Sequence, residues 1–268
     1  MHSPKLTSKV KNIRYIYGGT FDPPHYGHLS PLQDAMDKLD ISHVELMPTF
    51  VSALKSNVSH HRHRLAMLDM LIQEDPRLSI NKLELELAKP SFTVNTLLQL
   101  KENEPNTHFV FIIGSDSLQN IHKWKQWQTI FSLASVLVLH REFEQNTKTS
   151  AQTKPTNTAL ASNLNDIFLT QCELDKLIGT KMDEQCQQFL SMRLAQTNEK
   201  KQCIKSASFK DIIASSVSGK LFLVKNRGLA LSSSFLREQI AVGASVNAWL
   251  PDNINAYIKA NNLYKQSI

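Results

Sequence analysis

Two short strings carry most of the chemistry that this chain can offer. The first is Gly18-Gly19-Thr20-Phe21-Asp22-Pro23-Pro24-His25-Tyr26-Gly27-His28. It follows the apolar run Ile13–Tyr17 and precedes a helical pattern through Leu29, Leu32, Met36 and Leu39. Gly18 and Gly19 have no side chain to hold a ligand away from the backbone, and Pro23 and Pro24 stiffen the turn. His25 and His28, three apart, share one face of a helical turn. A helix start offers free N–H groups and partial positive charge, so two imidazoles there make a site for phosphate. The same pair could give a metal two ligands, but no third is evident nearby, and no metal site is expected. The second string is Leu231-Ser232-Ser233-Ser234-Phe235-Leu236-Arg237. Its hydroxyls can bind phosphate oxygens or cap the helix, and Arg237, one turn in, has a planar fork suited to phosphate.

The elements that must position these strings alternate. Strand patterns cover Ile13–Tyr17, His43–Met47, Leu78–Leu87, Phe109–Gly114 and Val136–Leu139. Between them lie helical patterns, among them one through Leu65, Leu68, Met70, Leu71 and Ile72 and another over Thr93–Lys101. Strands alternating with helices predict a parallel sheet covered on both faces, with ligands beyond the carboxyl ends of its strands. The alternation breaks at about 144–218, a stretch rich in Gln, Asn, Ser, Thr and Lys. Residues 146–163 read as a flexible loop, and 165–194 recover helical periodicity, so an insertion with one or two helices is expected. The pattern resumes with a strand at Leu221–Val224, a helix from about Ser232 and a last helix over Asp252–Asn261. The expected organisation is one α/β domain over 12–268, interrupted by that insertion, behind a disordered tail at 1–11.

Composition narrows the classes. The chain has 268 residues, 41% hydrophobic and 20% charged, with a net charge of +6. That is enough for a core that needs no staples. The longest early apolar run, Ile13–Tyr17, is broken by Arg14 and reaches neither the ~7–15 residues of a signal-peptide core nor the ~20 of a membrane span, so a cytoplasmic protein without a membrane partner is expected. The modest positive excess suits an anionic partner. No basic run with interleaved aromatics appears, which ranks small phosphates above nucleic acid. The cysteines, Cys172, Cys186 and Cys203, match no zinc spacing and read as reduced structural thiols. Oligomeric state is not legible.

The first string resembles the ATP-binding motif of the nucleotidylyltransferase superfamily, with its His-x-Gly-His core. The longer Gly-Thr-Phe-Asp-Pro-Pro-His form resembles the nicotinate-nucleotide adenylyltransferase family. Pro90-Ser91-Phe92-Thr93 is similar to that family's Pro-Ser-Tyr-Thr, Gly114-Ser115-Asp116 with Trp124 to its Gly-x-Asp segment and trailing tryptophan, and Leu231–Arg237 to the second superfamily motif. Leu250-Pro251, Tyr257-Ile258 and Leu263-Tyr264 resemble its C-terminal close. The resemblance covers roughly 12–142 and 219–265 and implies a Rossmann-like, doubly wound nucleotidylyltransferase fold.

The implied reaction transfers AMP from ATP, with Mg²⁺ carried on the triphosphate, to nicotinate mononucleotide. The acceptor phosphate is already ionised, so alignment and cationic stabilisation matter more than a general base. The resemblance assigns His25, His28 and Arg237 to catalysis, and Gly18, Gly19, Thr20, Phe21, Gly114, Asp116, Ser232, Ser233 and Ser234 to ATP. Lys55, Phe92, Thr93, Trp124 and Arg141 fall to the mononucleotide, with Phe92 and Trp124 as a clamp for the pyridine ring. Leu54 stands where the family has a loop histidine, and leucine cannot donate to phosphate. Arg64 matches a family arginine within the cluster His60-His61-Arg62-His63-Arg64, whose charge could compensate. Adenylyl or cytidylyl transfer to another phosphate acceptor, such as nicotinamide mononucleotide or phosphopantetheine, remains an open alternative, as does a non-catalytic ATP-binding regulator.

Overall fold

In this computed structural model the described residues are 12–50, 58–87, 89–142, 167–195, 209–215, 219–227 and 231–265. Six strands form one parallel sheet: β1 Asn12–Gly19, β2 Val44–Pro48, β3 Leu78–Ile80, β4 Thr107–Gly114, β5 Ala134–Glu142 and β6 Leu221–Arg227, in the order β3-β2-β1-β4-β5-β6. The chain builds outward from β1 to β3, then returns to lay β4 on the other side of β1. The order therefore reverses between β1 and β4, and their carboxyl ends open a crevice there.

The sheet is sandwiched because its central strands are apolar on both faces; every residue of β4 is buried. One face packs α1 Tyr26–Leu39, α2 His61–Leu71, α9 Phe209–Ser215, α10 Ser233–Ala241 and α11 Asp252–Ala260. The other packs α4 Thr93–Asn103, α5 Ser115–Gln119, α6 Trp127–Leu133, α7 Gln171–Ile178 and α8 Glu184–Arg193. A four-residue helix, α3 Leu83–Glu86, follows β3.

Two expectations need revision. The strand pattern over Leu78–Leu87 yields only three strand residues. Asn81 stops it: its side-chain oxygen accepts from the Leu83 N–H at 3.0 Å and its amide donates to Glu45 at 2.7 Å. That local bond starts α3, and Asn competes with strand pairing in just this way.

The described part of 144–218, expected as an insertion with one or two helices, holds α7, α8 and α9 and packs on both faces of the sheet. Ile167, Phe168 and Phe209 join one core cluster; Leu169, Leu174, Ile178, Met182, Leu190 and Leu194 join the other. The Leu169 N–H donates to the Leu223 carbonyl and the Ala195 N–H to the Leu221 carbonyl, both at 2.8 Å, so the α7–α8 hairpin leaves and returns along β6. The expected tail at 1–11 and loop at 146–163 lie outside the described residues. No helix among the described residues is long and apolar enough to cross a membrane.

Candidate active site

The carboxyl end of β1 leads into the Gly–Pro loop, and packing dictates its first residues. A Cβ on Gly18 would lie 2.4 Å from the Phe111 ring, and one on Gly19 would lie 2.8 Å from the Phe21 ring. Both glycines are thus required by the rings beneath them, a reason the sequence reading, which gave them to ligand approach, did not contain. Phe21 takes a left-handed φ of 51° and turns its ring into the core, edge-on to Tyr17 and His28. Only its backbone is left for a ligand.

His25 is the N-cap of α1, with extended backbone, and His28 lies in the first turn. Their ring centroids are 3.8 Å apart, with 35° between the planes. Gly27 makes room for this, since a Cβ there would meet His25 Nδ1 at 2.8 Å. His25 is buried and His28 half-buried. The expected shared face is therefore a stacked pair at a helix N-terminus.

The second string docks on the first. Ser233 Oγ donates to the Pro23 carbonyl at 3.1 Å, and Arg237 Nη1 donates to the Asp22 carbonyl at 2.7 Å. Arg237 Nη2 reaches Ser234 Oγ at 3.2 Å. Ser232 caps α10 by accepting from the Phe235 N–H. The capping role that the sequence left open for the serines is thus Ser232's, while Ser233 fastens α10 to the loop. The start of α10 is thereby bonded to the loop that leads into α1 and its two imidazoles, an arrangement whose N–H groups and positive charge are of the kind that can take an anion.

Arg64 does not join that charge. It is 1% exposed and points inward, donating to the carbonyls of Ser59, Thr20, Thr49 and Phe50 at 2.6–3.0 Å. It clamps the loops after β1 and β2 together, and Thr20 contributes its carbonyl to that clamp. Burial pulls the Arg64 guanidinium below its ordinary range. His61 is half-buried with its ring edge-on to Phe50; burial first, then the cations His60, Arg64, Lys89 and Arg62, lower its pKa.

Across the crevice, Gly114 ends β4 and caps α5, and the exposed Asp116 folds back so closely that a Cβ on Gly114 would lie 2.6 Å from its Oδ1. Phe92 is the N-cap residue of α4, ahead of Thr93, and carries the Lys125 ammonium 4.6 Å above its ring. Trp124 and Phe92 both pack against the same core cluster. Glu84, buried beside them, accepts from Thr96 Oγ1, and burial raises its pKa. Lys55 and Leu54 lie outside the described residues. Arg141 pairs with Asn226 in the β5–β6 ladder. Among the described residues no group of three or more His, Cys, Asp or Glu could hold a metal.

Residues 16–239 match the model of the Cytidylyltransferase-like family. A probable nicotinate-nucleotide adenylyltransferase of Psychromonas ingrahamii is 30% identical over 250 residues, covering 92% of this chain and 95% of the relative. The chain belongs to the nicotinate-nucleotide adenylyltransferase family. A second family member, from Aeromonas salmonicida, is 30% identical over 93% of this chain and 96% of its own length. Nicotinic acid mononucleotide adenylyltransferase of Plasmodium falciparum, solved with NaAD, shares the family fold at a TM-score of 0.59 and 18% identity, covering 94% of this chain and 97% of that one. The two strings that carried the resemblance to this family, the Gly–Pro loop and Ser232–Arg237, are joined here by hydrogen bonds.

Proposed function

We propose that the protein transfers AMP from ATP to nicotinate mononucleotide, forming deamido-NAD and pyrophosphate. The carrying observation is the junction of the two strings. His25 and His28 follow Asp22 and Pro23, whose carbonyls accept from Arg237 and Ser233, so the loop and the start of α10 are joined at the switch of strand order. Relatives that this chain matches over nearly its whole length carry that activity in their names.

In the reaction a phosphate oxygen of the mononucleotide attacks the α-phosphorus of ATP. That bond forms as the bond from the α-phosphorus to the bridging oxygen breaks, and pyrophosphate leaves with the electron pair. Mg²⁺ arrives with ATP as part of the substrate. The imidazole N–H groups and the Arg237 fork bind the triphosphate where charge accumulates, and the helix termini add backbone N–H groups. No protein base has to remove a proton from the acceptor. Phe92 and Trp124 are assigned to the pyridine ring, backbone N–H groups near Thr93 to its carboxylate, and Gly114 and Asp116 to the nucleotide.

Pyrophosphate release from Mg·ATP, measured against nicotinate mononucleotide, its amide and phosphopantetheine, tests this reading. The acid is expected to be preferred, because a charge-assisted bond to its carboxylate is roughly twice as strong as a neutral one. Release with none of the three, or equal use of acid and amide, overturns the assignment of the acceptor.

A further inference from the structure

Asp22 belongs to the Gly–Pro loop, and its carboxylate is held by groups of the protein itself. It is 1% exposed. Oδ1 accepts from the hydroxyl of Tyr264 at 2.7 Å, and Oδ2 accepts from the N–H of Ser59 at 3.0 Å. Its backbone carbonyl is the acceptor for Arg237, whose Nη1 also lies 3.9 Å from Oδ2. One residue thus joins three remote parts of the chain: the leader of α2, the turn after α11, and the arginine of α10.

The turn after α11 is shaped for this contact. Asn262 and Tyr264 have left-handed φ values of 49° and 64°. An aromatic residue occupies that region only where its surroundings over-determine it. Here the conformation turns the Tyr264 ring inward, where burial and the Asp22 charge both raise the phenol pKa and keep it a donor.

We propose that Tyr264 is a positioning residue for adenylyl transfer: its hydroxyl fixes the Asp22 carboxylate, and the Asp22 peptide in turn fixes Arg237 against the triphosphate. This rests on the reading of Arg237 as a phosphate ligand. An arginine displaced by a fraction of an ångström still binds ATP but stabilises the transition state less, so the effect falls on kcat rather than KM.

The test is steady-state kinetics of Tyr264→Phe, Asp22→Asn and the double variant, with Tyr257→Phe as control. Tyr257 gives the same C-terminal region another hydroxyl contact, 2.9 Å from His63 Nδ1, with no link to Asp22. Tyr264→Phe should lower kcat about tenfold with both KM values within about twofold. The double variant should be no slower than Asp22→Asn, because the two act along one path, and Tyr257→Phe should keep the wild-type kcat. A wild-type kcat in Tyr264→Phe, an equal loss in Tyr257→Phe, or multiplicative losses in the double variant would overturn the proposal. If Asp22→Asn does not fold, the contrast between Tyr264→Phe and Tyr257→Phe decides. A wild-type enzyme that releases no pyrophosphate refutes the proposed function instead.

Discussion

The Ser233 hydroxyl donates to the Pro23 carbonyl across 210 residues of sequence, at 3.1 Å. Through that bond the two helix N-termini of the site behave as one piece. In the proposed reaction a polyphosphate there would meet donors from both strings without first having to bring them together, which is the preorganisation that electrostatic catalysis requires.

His28→Ala should lower turnover by about 10²–10³, the usual loss for one donor to a developing oxyanion. His28 also packs edge-on to Phe21, so a stability loss of about 1 kcal/mol is expected beside it. Steady-state rates with a thermal melt separate the two. A rate loss below tenfold would remove His28 from the catalytic set.

Arg64→Met should destabilise the fold by about 3 kcal/mol, because four carbonyls of half-buried residues lose the buried guanidinium that they share, at about 1 kcal/mol or more each. Urea unfolding measures it. A change below 1 kcal/mol would mean that the loops after β1 and β2 hold their places without the clamp.

Stability should fall in mild acid through His108. This residue is buried on β4, its Nε2 3.0 Å from Ser135 Oγ, and burial lowers its pKa from 6.5 to about 4. The unfolded chain therefore takes up the proton first. The contribution is complete above pH 6.5, declines as pH falls toward 4, and is constant below. At 1.36 kcal/mol per unit the whole window is worth roughly 3.4 kcal/mol, and the step from pH 7 to pH 5 about 2 kcal/mol. Urea unfolding of wild type and His108→Gln at the two pH values checks this; equal losses would clear His108 of the effect.

The two parts of the 144–218 stretch should respond differently. Leu190→Ala should cost about 2–5 kcal/mol, since Leu190 is fully buried against the sheet. Replacing 146–163 by a short linker should leave the melting temperature nearly unchanged, the outcome expected from its polar sequence. A neutral Leu190→Ala would show that α8 is a detachable element.

The alternation of strands and helices around a parallel sheet, and the place of the Gly–Pro loop between the first strand and the first helix, were legible because both depend on local patterns: apolar runs, glycine and proline between them, and serines ahead of a helical spacing. What stayed hidden depends on partners distant in sequence. Arg64 reads as part of a basic cluster, and nothing local shows that its donors meet carbonyls from three separate segments. Asp22 and Tyr264 are ordinary until the fold brings them within 2.7 Å. The apolar spacing of 165–194 was visible, but its place in the core required the pairing with β6. Asn81 carried a usable signal, a turn-forming side chain inside an alternating run, that the reading of Leu78–Leu87 as a strand passed over.

The way residues 168–169 and 194–195 bond along β6 also bears on how copies of this chain can meet. A sheet with a bare margin invites another molecule to continue it, the route to strand exchange and fibres. Here one margin has its carbonyls at Leu221 and Leu223 occupied from within the chain, and the opposite one, β3, offers only three residues. Continuation of the sheet from one copy into the next is disfavoured at both ends, which directs any self-association to helical faces.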